Sequence, residues 1–385
     1  MSAATLDLAR IATSMKRLIS SMTVAGQVVP TSMSVRHRRT KKISSAKRHE
    51  TAPSKYEMWL SLASFALIFL CVAVVGAQAT ILPDEIAAPL FTSSAKSQSQ
   101  DITQAQADLY ERWRTNIRNN QTLAYEAGKE YLTKYPEDGY TAYIKKWVGE
   151  YERAARRVRF RQLLERDKKY GEAFATGKLV LADAPDNLQT LINLAYAGYF
   201  AQAENDSSVN AETLAFARQA IERLGAGDKL ADWKPFANQA DALGYLNFIA
   251  GELTLKDSPL EASRYFLEAL RHEGAVKTYP VIYARLGVVY AVRDFDPLAR
   301  KFEARYKGKD VTPESQVALA EVYQVVDKIV DAYARAVALS GTDAQYEVAR
   351  RRWLEELNRF YKTRHNNSLD GLETLIANVL TKPLP

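Results

Sequence analysis

Apolar positions follow two regimes along the 385 residues. Residues 58–79, MWLSLASFALIFLCVAVVGAQA, carry no charge and only scattered small polar residues. As a helix rising about 1.5 Å per residue such a run reaches roughly 33 Å, enough to cross a hydrocarbon core of about 30 Å. From residue 101 onward the apolar residues instead recur at spacings of three and four, with Pro and Gly at intervals and no alternating run. That periodicity predicts amphipathic helices throughout and an all-α fold.

The flanks orient the apolar segment. SVRHRRTKKISSAKRHE precedes it and ILPDEIAAPL follows it, so the basic side stays in the cytoplasm and residues 80–385 are exported. The ending Ala77-Gln78-Ala79 fits a small-x-small cleavage site before Thr80. Two outcomes therefore stand: an uncut N-in anchor in a bacterial inner membrane, or a signal core removed near Ala79 from a secreted chain. Residues 1–57, rich in Ser, Thr, Lys and Arg, read as a disordered basic tail, and residues 80–100 as a linker.

Within the helical part the stops and starts are partly legible. Thr312-Pro313 reads as an N-cap followed by Pro in the first turn, Gly341 as a stop, and Thr342 or Asp343 as a restart. Leu369, Leu372, Leu375, Ile376, Val379 and Leu380 form a last apolar stripe. Residues 307–385 are expected to cap the end of the array.

Self-comparison aligns AYEAGKEYLTKYP at 124–136 with AFATGKLVLADAP at 173–185. Both read Ala-aromatic-x-x-Gly-Lys, with Leu and Pro following at the same offsets, as one helical unit used twice would. In KYGEAFATGKLVLADAPDN, residues 169–187, Tyr170, Ala173 and Pro185 fall where the second helix of a tetratricopeptide (TPR) repeat has its ring, small residue and closing proline. YARLGVVY at 283–290 resembles a first helix through Tyr283, Leu286, Gly287 and Tyr290. ASRYFLEAL at 262–270 supplies Ala262, Phe266 and Ala269 at second-helix spacing, and LNFIAGEL at 246–253 is a looser first helix. Residues 101–306 therefore resemble a TPR-like array, although its two best copies are farther apart than in that family. The excess predicts a lengthened helix within 139–169 or an extra turn.

The resemblance implies a right-handed α-solenoid of helical hairpins whose inner face, built by the first helices, holds a partner peptide or helix. Carried over by position, the partner-binding residues are Gln189, Asn193, Tyr196, Asn247 and Arg285. Amide and guanidinium groups there suit a peptide backbone or a carboxylate.

Charge changes the picture little. The net charge of +7 belongs to the tail: residues 1–57 hold 11 Lys/Arg against 3 Asp/Glu, and the rest holds 41 against 42. So neutral a folded part argues against nucleic acid, whose binding rests on phosphate neutralisation. One local stripe, KKWVGEYERAARRVRFRQLLERDKK at 145–169, gives a basic patch at Arg153, Arg156, Arg157 and Arg161. It reads either as a site for an acidic peptide, polyanion or lipid headgroup, or as a solvated helix face whose Arg stems cover Trp147, Tyr151 and Val158. Cys71 is the single cysteine, which rules out an intrachain disulfide. His37 and His49 lie in the tail; His272 and His365 stand far apart, with no HExxH spacing and no phosphate-binding loop nearby. No metal or cofactor is expected. The expected function is a non-enzymatic protein-protein interaction scaffold outside the cytoplasmic membrane; the alternatives are a cell-wall-active enzyme on a helical array and a polyanion-binding protein.

Overall fold

The computed structural model describes residues 103–203 and 206–385. The basic tail, the apolar segment 58–79 with Cys71, the linker, and Glu204 and Asn205 lie outside the described residues. Among those described every regular element is helical, and none is long and apolar enough to cross a membrane. The chain separates into two compact units, one ending at Ala155 and the other starting at Arg156.

In the first unit, α1 (Gln104–Asn116), α2 (Gln121–Lys134) and the start of α3 (Thr141–Arg161) share one core. Trp113, Tyr131, Ile144 and Trp147 are its most buried large side chains, with Tyr110, Tyr140 and Tyr143 packed around them. The Trp113 ring meets Tyr143 and Trp147 edge-on at 5.5 and 6.0 Å, the arrangement aromatic quadrupoles favour. Asp138 closes the turn after α2: it accepts from the Tyr131 hydroxyl at 2.7 Å, the Gln106 amide at 2.8 Å and the Tyr140 N–H at 2.8 Å. Thr103 and Asn120 cap α1 and α2 through their side-chain oxygens.

The lengthening expected within 139–169 takes both forms. Helix α3 runs to Arg161, and a π-helical turn, Gln162–Asp167, ends with Lys168 in the left-handed region at φ 52°. Six helices follow: α4 (Tyr170–Asp183), α5 (Leu188–Ala203), α6 (Asn210–Gly225), α7 (Gln239–Thr254), α8 (Pro259–Arg271) and α9 (Pro280–Val289). Each packs on its neighbours in sequence. Helices α5, α7 and α9 are buried nearly all round, as helices apolar on every face must be. Beyond Val289 the helix does not turn back. A π-helical turn, Tyr290–Phe295, carries it into α10 (Asp296–Tyr306), so Tyr290, the last residue of the first-helix resemblance, opens that turn.

The C-terminal part continues the same unit. Thr312 and Ser315 form a reciprocal capping box with Pro313 in the first turn, starting α11 (Pro313–Ser340) as expected. Gly341 stops it, and Asp343 caps the short turn before α12 (Glu347–Arg364). Helix α11 packs on both α9 and α12. The last apolar stripe is shorter than anticipated, α13 (Leu372–Asn378) and one 3-10 turn, because Gly371 at φ 83° begins it after Leu369. Leu372 and Val379 are buried while Leu369 and Leu380 stay exposed. Arg335, buried on α11, pairs with Asp331 and donates to the carbonyls of Lys382 and Pro383 at 2.9 and 2.7 Å, fixing the tail.

The duplicated Gly of the sequence repeat has the same use in both copies. A Cβ on Gly128 would lie 2.9 Å from Val148 and 3.1 Å from Trp113; on Gly177 it would lie 2.7 Å from Phe160 and 2.8 Å from Leu194. Each glycine lets a large side chain of the crossing helix reach the backbone. Gly177→Ala is therefore expected to destabilise by about 1–3 kcal/mol through overpacking. Gly225→Ala, where a Cβ meets nothing within 4 Å, should be neutral or stabilise by up to about 1 kcal/mol. Urea unfolding of the two variants checks both signs.

Candidate partner-binding face

Residues 189, 193, 196 and 200 fall on one face of α5 by helical spacing. Over this face runs the connection between α6 and α7, residues 226–238, which has no helix of its own. The Gln189 amide donates to the Lys234 carbonyl at 2.9 Å and to the Asn193 side-chain oxygen at 3.3 Å. Phe236, 5% exposed, sits edge-on to Tyr196 at 5.7 Å and tilted against Tyr245 at 5.4 Å. Its N–H donates to the Trp233 carbonyl at 2.7 Å, closing a turn.

The ring contacts extend from α5 to α7 and Tyr279. Tyr170 stacks on Phe200 and meets Tyr196 edge-on. Tyr199 meets Phe248, which meets Tyr279, and the Tyr279 hydroxyl is hydrogen-bonded to that of Tyr245. Asp241, 6% exposed, braces two connections at once: its carboxylate accepts from Ala237 N–H at 3.0 Å and Ala275 N–H at 2.8 Å. Burial pushes the phenols of Tyr196, Tyr199 and Tyr245 far up, neighbouring hydroxyls or carboxylates adding to the effect, and raises Tyr346 to about 12. Tyr196, Tyr199 and Tyr245 are thus neutral across the physiological range, among phenylalanine rings that carry no polar group.

The remaining expected residues lie deeper. Asn247 is buried, its amide donating to the Leu243 carbonyl one turn back. Arg285 makes a two-pronged ion pair with Glu252, at 2.7 and 3.0 Å, with about a tenth of each side chain exposed. The structure thus brings Gln189, Asn193 and Tyr196 together and commits Asn247 and Arg285 to internal partners. Glu252, Phe236, Tyr245 and Tyr279 went unremarked in the sequence. The trace that points to them is the aromatic-x-Pro-aromatic run Trp233-Lys234-Pro235-Phe236 between two helices, since an apolar loop residue needs a surface to cover it.

The basic stripe is compensated in part. Arg156 pairs with Asp183 at 2.7 Å, Arg159 with Asp167 and Glu172, and Lys169 with Glu172. Arg157 and Arg161 are exposed and Arg153 is half-buried. His272 follows α8, 3.6 Å from Glu268, and His365 follows α12, stacked on Tyr361. Among the described residues no group of three His, Cys, Asp or Glu side chains could hold a metal ion. Tyr333 of α11 is fully buried with its ring against Gly287 of α9 and its hydroxyl without a partner, and on α12 burial pushes the Glu356 carboxyl up despite the Arg359 pair.

Comparison with known proteins yields no matching family model, no matching curated protein and no matching solved structure.

Two measurements probe this interior. Removing one member of the Glu252–Arg285 pair leaves a nearly buried charge alone, so Glu252→Gln is expected to cost about 3–5 kcal/mol. The double variant Glu252→Gln, Arg285→Met should recover much of that in a denaturation cycle. The raised phenol pKa values fix a pH dependence. The folded state keeps protons that unfolded tyrosines release above about pH 10, so the stability these groups contribute is full below that pH and declines above it. Absorbance titration should show part of the tyrosine set resisting ionisation until alkaline unfolding, with all of it titrating near pH 10 in denaturant.

Proposed function

We propose that this protein is a non-enzymatic interaction scaffold, an α-solenoid of TPR-like hairpins that holds a partner peptide or helix on the face of its first helices. Residues 58–79 tether the chain to a bacterial inner membrane, or direct its secretion when cut near Ala79, and residues 80–385 work outside the cytoplasm. Residues 101–306 form the array and 307–385 its cap.

One observation carries the reading. Gln189 and Tyr196, picked out by repeat position as groove residues, grip a turn of polypeptide: the amide takes a main-chain carbonyl and the ring takes an aromatic side chain. Main-chain hydrogen bonding combined with a side-chain pocket is a mode by which grooves bind peptides. The polypeptide held happens to be the chain's own. The succession of small-residue crossings, with Gly177 against Leu194 and Gly251 against Phe266, supports a repeated hairpin unit.

The test is site-specific photo-crosslinking in cells. A photoreactive residue at Asn193, half-buried on the proposed face, should give an adduct with a second protein; the same residue at Lys256, exposed in the connection after α7, should not. Equal adducts from both positions, or none from either, would overturn the assignment. Protease added to intact spheroplasts should digest residues 80–385 if that part is exported.

A further inference from the structure

Resting on the peptide-holding reading above, we propose that residues 229–238, KLADWKPFAN, are a tethered pseudo-ligand: an exchangeable strap that occupies the binding face and specifies its ligand chemistry. The ligand would be a turn-forming segment of a partner protein with an aromatic residue directly after proline. The aromatic ring enters between Tyr196 and Tyr245, and the carbonyl two residues before it is taken by Gln189.

The strap's attachment argues for exchange. Its ends are pinned: Asp228 is held by Arg223 at 2.8 Å, beside Gly227 at φ 101°, and Ala237 N–H is held by Asp241. Between the pins Phe236 is the one buried residue; Lys229, Ala231, Asp232 and Lys234 are exposed and Leu230, Trp233 and Pro235 only half-buried. A stretch with so few buried contacts belongs to the low-stability end of a fold. The face beneath differs. Tyr196 and Tyr245 sit on helices buried nearly all round, and the Tyr245 ring is fixed by its hydroxyl bond to Tyr279. A preformed receptor thus lies under a lightly held strap.

The attachment also fixes the recognition register. Trp233 carbonyl to Phe236 N–H closes the turn, Lys234 carbonyl faces Gln189, and Phe236 is the anchor. Lys234 is exposed and contributes its main chain to the face. Selectivity should therefore rest on the Pro-aromatic pair, with the residue before proline free to vary. A tethered segment competes at an effective concentration in the millimolar range. Wild-type protein should therefore take up a free peptide weakly, and a protein lacking the anchor ring should take it up well.

The experiment uses the full chain and a fluorescein-labelled peptide of the sequence KLADWKPFAN. Fluorescence anisotropy should show binding to Phe236→Ala at least about tenfold tighter than to wild type. Adding Gln189→Ala to that variant, or replacing Phe by Ala in the peptide, should abolish the gain. Equal binding by wild type and Phe236→Ala, or no binding to a variant with unchanged circular dichroism, overturns the strap. Should Phe236→Ala not fold, hydrogen exchange on wild type decides. Excess peptide should speed exchange across 229–238 and slow it along 189–200, and an unchanged pattern overturns the proposal. A partner adduct from Asn193 that forms equally in wild type and Phe236→Ala leaves the peptide-holding reading intact and removes the strap. Absence of both adduct and peptide binding removes the two together.

Discussion

Close approach of neighbouring helices, at points where one presents a glycine and the other a large side chain, is the constraint on which this structure depends. At Gly128, Gly177, Gly251 and Gly287 a missing Cβ is matched by Val148 and Trp113, Phe160 and Leu194, Phe266, and Tyr333. The contact is reciprocal: the glycine admits the side chain, and the side chain fills the space that would otherwise be a void. Interiors packed to this density accept little change in volume, so each crossing fixes how its two helices meet.

Aromatic burial follows from that geometry. With crossings set by glycine, rings fill the space around α5 and α7: Tyr196, Phe200, Tyr245, Phe248 and Tyr279. Rings of this kind bring hydroxyls inward, and the fold pairs several of them, as at Tyr245 and Tyr279, while Tyr333 is left without a partner. The same closeness accounts for the Glu252–Arg285 pair. Two charges, on α7 and α9, are tolerated at about a tenth exposure because the guanidinium fork matches both carboxylate oxygens.

A face made of neutral rings and amides, with charges neutralised internally, is suited to main-chain carbonyls and apolar side chains rather than to ionic ligands. That is consistent with how the connection 226–238 lies on it, through one carbonyl and one ring. It also explains why the exposed arginines of the 145–169 stripe make a weaker claim to specificity. Within it Arg156 is paired with Asp183, and Arg159 with Asp167 and Glu172, and solvent-exposed ion pairs of that sort contribute little.

Local chemistry was readable from the sequence alone. The period of three to four set the all-helical class; Thr312-Pro313, Gly341 and Asp343 marked real boundaries; and the repeated Gly at 128 and 177 marked real crossings. These depend on neighbours a few residues away, or on a residue type with one conformational or steric use. Repeat position also placed Gln189, Asn193 and Tyr196 on one face. What covers that face was decided by tertiary structure: Phe236 is 40 residues from Tyr196 in the chain, and no local rule pairs them. Asn247 and Arg285 likewise look available in sequence, and only folding shows Arg285 committed to Glu252 and the Asn247 amide turned to its own helix. Exposure depends on every element that packs nearby, so a pattern read along one helix determines which residues share a face and leaves open whether that face is covered.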